Sequence, residues 1–384
     1  MKEIHAIIKA YQNQYLAGNQ SALATLVHLD GSSYRRPGAR LLVDDAGNMT
    51  GAISGGCLEG DAYRKAAQAI ASKKPRLVTY DTSDEDDATI GVQLGCAGII
   101  RVLFEPIDLN DAFNPIRLLE SAAASRDENI LVTLFSNDPE GQHHQGTKFI
   151  FQKDLTIIGK RPEEKIFNRL KNEAEQVFNN RKSAFLDLES FETSAFIEYL
   201  PPPVSLVIVG AGNDAIPLAE MAEIMGWDVV VVDGRNHLAK QERFTPSCQI
   251  VVSKPEQVLD RLRIDHRTAF VLMTHNYKYD LAMLKALSTR EVNYVGMLGP
   301  KKKFDNMLAD LNDEGHVIPD RVLSRIHAPI GLEIGAETPE EIALSIISEI
   351  KAVFGKAPGG FLRDKPGPIH HRESTDISYS KTNS

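Results

Sequence analysis

The run Val204-Ser205-Leu206-Val207-Ile208-Val209 ends in Gly210-Ala211-Gly212-Asn213-Asp214-Ala215, a pattern whose chemistry is the seating of a phosphate. Gly210 permits a tight turn, Gly212 lets the backbone approach a pyrophosphate, and the small Ala215 lets the next helix pack closely on its strand. The amides that open this helix point at the anion. Asp233 closes the following apolar run, where a carboxylate accepts bonds from ribose hydroxyls. It favours a bare ribose over a 2′-phosphate, since two negative charges would otherwise face each other. Thr274-His275-Asn276 and Tyr294-Val295-Gly296-Met297-Leu298-Gly299 end later strands, at the edge where doubly wound sheets bind ligands. His275 has two open readings, an acid–base or cofactor contact and a polar loop residue bonded to backbone. Lys301-Lys302-Lys303 reads as a solvated helix start.

A second cluster lies near the N-terminus. Gly31-Ser32-Ser33-Tyr34-Arg35-Arg36-Pro37-Gly38-Ala39-Arg40 sets Arg35, Arg36 and Arg40 among loop residues, and guanidinium forks suit phosphate oxygens and planar acceptors. Ser54-Gly55-Gly56-Cys57-Leu58-Glu59 places a thiol at a strand-to-helix turn, where amides favour an anion and the helix end favours the thiolate. Gly95-Cys96-Ala97-Gly98 repeats a cysteine between glycines. On spacing alone, the simpler reading of Cys57 and Cys96 is a small residue packed in a turn, and Cys248 reads as part of a core strand. Asp84-Glu85-Asp86-Asp87 lacks the ligand spacing of a calcium loop and reads as a solvated segment. His143-His144 and His370-His371 have no partners at metal-ligand spacing.

The elements that must position these groups follow from periodicity. A helix over 1–16 is followed by strands at 21–29 and 39–43 and a short third strand reaching Ile53. A helix over 58–72 and strands at 76–80 and 99–105 complete this part. Residues 106–200 give helices at 112–125 and 161–178 and strands at 129–135, 147–151, 184–188 and 195–199, read as an extension of the first domain. Pro201-Pro202-Pro203 is a stiff boundary. Beyond it, strands at 204–209, 228–232, 248–252, 268–273 and 293–297 alternate with helices, which predicts a parallel doubly wound sheet. Thr338-Pro339-Glu340-Glu341 carries a capping box that opens a last helix to about Phe354. The expected organisation is an N-terminal mixed α+β domain over 1–200, a Rossmann-type α/β domain over 201–354 and a disordered tail over 355–384. No internal repeat is visible.

Composition narrows the function classes. A net charge of −9 argues against nonspecific binding to nucleic acid or to an anionic membrane. The three cysteines among 384 residues are odd in number and form no C-x-x-C pair, which argues against a disulfide framework or zinc cage. With no signal-peptide core and no long apolar run, the expected location is the cytoplasm.

The motifs together resemble the xanthine dehydrogenase accessory factor (XdhC/CoxI) family. In the N-terminal half the likeness lies in Gly31-Ser32-Ser33, Arg36-Pro37-Gly38-Ala39, Ser54 to Glu59 and Gly95-Cys96. In the C-terminal half it lies in the Rossmann turn, Thr274-His275, Tyr294-Val295-Gly296 with Leu298-Gly299, and His327-Ala328-Pro329-Ile330-Gly331-Leu332 through Ile334-Gly335-Ala336. The resemblance implies a homodimeric chaperone that binds molybdenum cofactor (molybdopterin). It would assist sulfuration of the cofactor with a cysteine desulfurase and pass it to an apo molybdenum hydroxylase. Two positions depart from the family pattern. Asn213 stands where many members carry His, and Ala97 where many carry Gly.

Joined to the residue chemistry, the resemblance gives an expectation for the site. Arg35, Arg36 and Arg40 would hold anionic parts of the cofactor, the Gly55-Gly56 turn would supply amides, and Cys57 or Cys96 would approach molybdenum as a soft ligand. Two other readings use the same sequence. One is an NAD(P)-dependent oxidoreductase with His275 or Tyr279 as acid–base group. The other is an adaptor that docks desulfurase and hydroxylase with an empty Rossmann cleft.

Overall fold

The computed structural model describes residues 1–31, 33–56, 58–81, 98–136, 145–188 and 191–366. The chain divides into two compact units between Pro202 and Pro203.

The N-terminal unit contains the same arrangement twice. Helix α1 (Lys2–Leu16), strands β1 (Ser21–Gly31), β2 (Arg40–Asp44) and β3 (Met49–Gly51), helix α2 (Glu59–Ser72), and strands β4 (Arg76–Asp81) and β5 (Gly98–Pro106) form the first copy. The second runs α3 (Pro115–Ala123), β6 (Asn129–Phe135), β7 (Gly146–Phe151), β8 (Ile157–Gly159), α4 (Glu164–Asn180), β9 (Ala184–Leu188) and β10 (Thr193–Leu200). Their antiparallel sheets have the orders β3-β2-β1-β5-β4 and β8-β7-β6-β10-β9, which are the same topology. The registers coincide as well. Leu23 faces Leu42 and Glu105, and Leu131 faces Ile150 and Glu198. The expectation of no internal repeat is therefore overturned. Equivalent positions share burial and place in the sheet, and residue type is kept only at scattered ones, such as Leu23 with Leu131 and Glu105 with Glu198.

Period-two alternation sorts each sheet into two faces. Ala22, Ala24 and Leu26 pack with Ala62, Ala66 and Ala69 of α2, while Val132 and Leu134 pack with Ile166, Leu170 and Ala174 of α4. The opposite faces meet through Leu23, Leu42, Leu131 and Ile150, with Ile7 of α1 and Leu119 of α3. Val27, Leu103, Phe135 and Phe196 extend this contact. Both faces of β1 are therefore covered, which accounts for its unbroken buried run from Ser21 to His28. Polar groups cross the same interface in a matched pair. Arg40 of the first copy reaches Glu198 of the second, and Thr147 of the second donates through its amide (2.6 Å) and hydroxyl (2.7 Å) to Glu105 of the first. Burial pushes the Glu105 carboxyl above its ordinary value, against the hydrogen bonds from Thr147.

The C-terminal unit holds β11 (Ser205–Val209), α5 (Ala215–Ile224), β12 (Asp228–Asp233), β13 (Gln249–Val252), α6 (Pro255–Val258), β14 (Thr268–Leu272), α7 (Tyr277–Ser288), β15 (Tyr294–Met297), α8 (Lys301–Asp313), α9 (Asp320–Leu323), β16 (Ile326–His327) and α10 (Pro339–Phe354). The six-stranded sheet is parallel in the order β13-β12-β11-β14-β15-β16. This is the Rossmann order, and its switch point lies between β11 and β14. Both faces are covered, one chiefly by α5 and α10 and the other chiefly by α7 and α8. Thr338 and Glu341 form the capping box of α10. Two-residue β16 has no counterpart in the sequence reading, being too short to show periodicity. Of the segment read as a tail, residues 355–366 are described and include a short turn of 3-10 helix, Leu362–Asp364.

Candidate functional site

The Rossmann turn sits at the switch point. Gly210 has φ +124°, and a Cβ there would lie 2.5 Å from the Met273 carbonyl oxygen, so β14's end comes too close for any side chain. Around Gly212 there is room. A Cβ would meet only the His275 ring, at 4.0 Å, so this backbone is open to a ligand. Ala211 and Ala215 are buried beneath it.

The flanking polar groups are largely committed to one another. The Asn213 Oδ1 accepts from Arg243 at 2.9 Å, and the same guanidinium donates to the carbonyls of Ala211 (2.5 Å) and Leu238 (2.7 Å). Arg243 thus clamps the outside of the turn. Asp214 turns away to His275, whose Nε2 lies 3.2 Å from Asp214 Oδ2. His275 is mostly exposed and has φ +55°, a left-handed conformation that non-glycine residues rarely adopt.

Several expected ligand contacts prove to be internal. The Asp233 carboxylate, read as a ribose acceptor, is buried and takes hydrogen bonds from Ala211 N (2.8 Å) and from Arg235 N (2.9 Å), Nε (2.9 Å) and one terminal nitrogen (2.8 Å). Burial opposes its ionisation, but the bonds from Arg235 and Ala211 prevail and hold it below the ordinary carboxylate value. Thr274, read as a cofactor contact, is also buried and donates to Asp280 Oδ1 at 2.6 Å. Asp280 in turn receives Lys303 Nζ at 2.7 Å, so one of the three lysines read as solvated enters the interior. Tyr279, a candidate acid–base group, donates to the Ser253 carbonyl at 2.7 Å. Burial and the nearby Asp233, Glu256 and Asp280 push its hydroxyl up to about 12, far from a working acid–base value at neutral pH. Arg235, Arg243 and Asp280 were missed in the sequence. The spacing Asp233-Gly234-Arg235 was the available signal.

In the N-terminal unit, topology brings the singled-out segments to one end of one sheet. Gly31 pairs with Gly98, Asp81 with Ile99, and Leu41 with Gly51, so the connections 32–39, 52–58 and 82–97 all leave from that end. Cys57, Cys96, Ser32, Gly95, Ala97, the acidic run 84–87, His143-His144 and His370-His371 lie outside the described residues. Two of the three arginines are structural rather than free for a ligand. Arg35 pairs with Glu3. Arg40 is 3 % exposed and held by Glu198 and the Gly38 carbonyl. Arg36 is exposed and its guanidinium has no hydrogen-bond partner among the described residues. The Gly55-Gly56 turn also spends amides internally, since Gly56 N and Leu58 N each donate to Ser54 Oγ at 3.1 Å. Ser54 donates to Glu59, which completes this helix start. The exposed Tyr34 ring lies against Gly55.

Among the described residues no group of His, Cys, Asp and Glu could hold a metal ion, and no helix is long and apolar enough to cross a membrane. Cys248 is buried beside Thr245 Oγ1 at 3.0 Å, and burial raises its thiol, in keeping with a structural residue.

A six-stranded Rossmann sheet joined to an antiparallel α+β unit defines the class. Residues 206–350 match the XdhC Rossmann domain and residues 15–81 the XdhC and CoxI family. The chain belongs to the xanthine dehydrogenase accessory factor (XdhC/CoxI) family. It is 28% identical to a probable xanthine dehydrogenase subunit of Bacillus subtilis (strain 168), over 86% of this chain and 92% of that one. It is 23% identical to the molybdenum cofactor insertion chaperone PaoD of Escherichia coli (strain K12), over 88% of this chain and 85% of that one. The crystal structure of a xanthine dehydrogenase from Bacillus halodurans superposes with a TM-score of 0.71 at 28% identity, covering 91% of this chain and 96% of that chain.

Proposed function

We propose that this protein is a maturation factor for a xanthine dehydrogenase-type molybdenum hydroxylase. It binds molybdenum cofactor, assists its sulfuration with a cysteine desulfurase, and hands it to the apo-enzyme, acting as a cytoplasmic homodimer. The observation that carries this reading is the near full-length likeness to an insertion chaperone, 88% of this chain on 85% of that one.

The residues suit the anionic end of such a cofactor. In the C-terminal unit, open backbone at Gly212 and the start of α5 fit a phosphate; separately, in the N-terminal unit, Arg36 offers an exposed fork. Soft ligation of molybdenum is assigned to Cys57 or Cys96, the cysteines of segments that leave the sheet at the same end as Arg36. When bound, the cofactor supplies the metal and its sulfido ligand, and the chain binds, orients and shields them. The oxidoreductase alternative keeps His275 but loses Tyr279, whose hydroxyl is bonded to the Ser253 carbonyl.

Titration of the purified protein with molybdenum cofactor tests the N-terminal site. Arg36→Ala and Cys57→Ala are each expected to weaken binding by about tenfold, the scale of one charge-assisted bond or metal contact. Unchanged affinity in both variants removes this site.

A further inference from the structure

We infer that Arg235 turns the ribose-reading corner of the Rossmann crevice into a reader of phosphate monoesters, so that the crevice prefers a monoester-bearing ligand to its bare-diol counterpart. The inference rests on the reading of the Gly210–Gly212 turn as a phosphate seat. An ionised carboxylate has about four acceptor positions. Those of Asp233 are taken by Ala211 N, Arg235 N, Arg235 Nε and a terminal nitrogen of Arg235. Asp233 is also 2% exposed, so a ribose diol finds no acceptor there.

What the crevice presents instead is a cation. The terminal nitrogen that bonds Asp233 also donates to the Thr274 carbonyl at 3.3 Å. The guanidinium therefore reaches from the end of β12 to the residues following β14, across the end of β11, where the strand order reverses. Its other terminal nitrogen has no hydrogen-bond partner among the described residues, and the side chain is 42% exposed. One edge of the fork is pinned and the other faces outward, a preorganised arrangement for phosphate oxygens. Arg243 does not compete for this role, because its fork is spent on Ala211, Leu238 and Asn213. The acid nearest the helix start, Asp214, is engaged with His275. An arginine near the end of the second strand is the general solution for a 2′-phosphate in this fold. A 2′-phosphate on a dinucleotide and the phosphate of molybdopterin share this chemistry.

Calorimetric titration of the full chain with NADP, NAD and molybdopterin separates these sources. NADP is expected to bind about tenfold or more tightly than NAD, or molybdopterin to lose about tenfold in Arg235→Ala. In that variant NADP weakens while NAD holds or gains, because Asp233 regains free acceptors, an exchange that a merely structural arginine would not produce. If Arg235→Ala fails to fold, Arg235→Lys keeps the charge without the fork and should give an intermediate preference. NAD binding as tightly as NADP, together with molybdopterin binding that ignores Arg235, overturns the inference, as does failure of both monoester ligands to bind. Molybdopterin bound equally by wild type and Arg235→Ala, with no NADP binding, overturns the inference and leaves the proposed function standing. NADP preference without molybdopterin binding does the reverse.

Discussion

Replacing Arg40 with alanine is expected to destabilise the N-terminal unit by about 3–5 kcal/mol, the cost of leaving a buried charge without its partner. Arg40 and Glu198 are 3 % and 10 % exposed on their side chains, and they join the two copies of the repeat. A Cβ at Gly38 would lie 2.5 Å from Glu198 Oε1, so the loop backbone is pressed against the carboxylate and little water could replace the guanidinium. Urea unfolding followed by circular dichroism should show the loss, together with a fall in melting temperature of about 10 °C for a unit of this size. The double replacement Arg40→Met with Glu198→Leu removes both charges and should recover most of the stability. A loss below about 1 kcal/mol in Arg40→Ala would mean that the pair is solvated and that Arg40 is free to meet a ligand after all.

The two glycines of the Rossmann turn should separate fold from binding. Gly210→Ala places a Cβ at φ +124°, 2.5 Å from Met273 O and 2.8 Å from Thr274 N. Neither backbone group can move without displacing β14, so the C-terminal unit should lose about 3 kcal/mol or more, together with its ligand. Gly212→Ala meets only a ring edge at 4.0 Å and should leave stability within about 1 kcal/mol of wild type. The added methyl occupies the space through which a phosphate would approach, so binding should fall about tenfold or more. Thermal unfolding and ligand titration on the same samples read both effects. Wild-type stability in Gly210→Ala, or wild-type affinity in Gly212→Ala, contradicts the assignment.

The C-terminal sheet was legible because parallel strands covered on both faces read as dense apolar runs, and Val204–Val209 and Val229–Val232 leave little choice. The capping box of α10 was legible because it is a local pattern, Thr338 to Glu341. The repeat in the N-terminal unit was not, because it is carried by topology and register, and identity survives only at scattered positions such as Thr25 with Thr133 and Glu105 with Glu198. Arg40 and Thr147 sit at matching places beside Thr25 and Thr133, and nothing in their chemistry links them. Polar networks were the least legible. Asp233 was recognised as the acid closing the second strand, yet its partner two residues on decides what it can bind. Likewise, the same three arginines read alike in sequence, and only tertiary contacts distinguish the buried Arg40 and the paired Arg35 from Arg36.

Delivery of cofactor to an acceptor enzyme is read by a transfer assay. The protein would be loaded with molybdenum cofactor, freed of excess by gel filtration, and mixed with an apo molybdenum hydroxylase whose activity is then followed. Hydroxylase activity is expected to rise in proportion to the cofactor carried in. Failure of the protein to retain cofactor, or retention without any gain of activity in the acceptor, would contradict delivery.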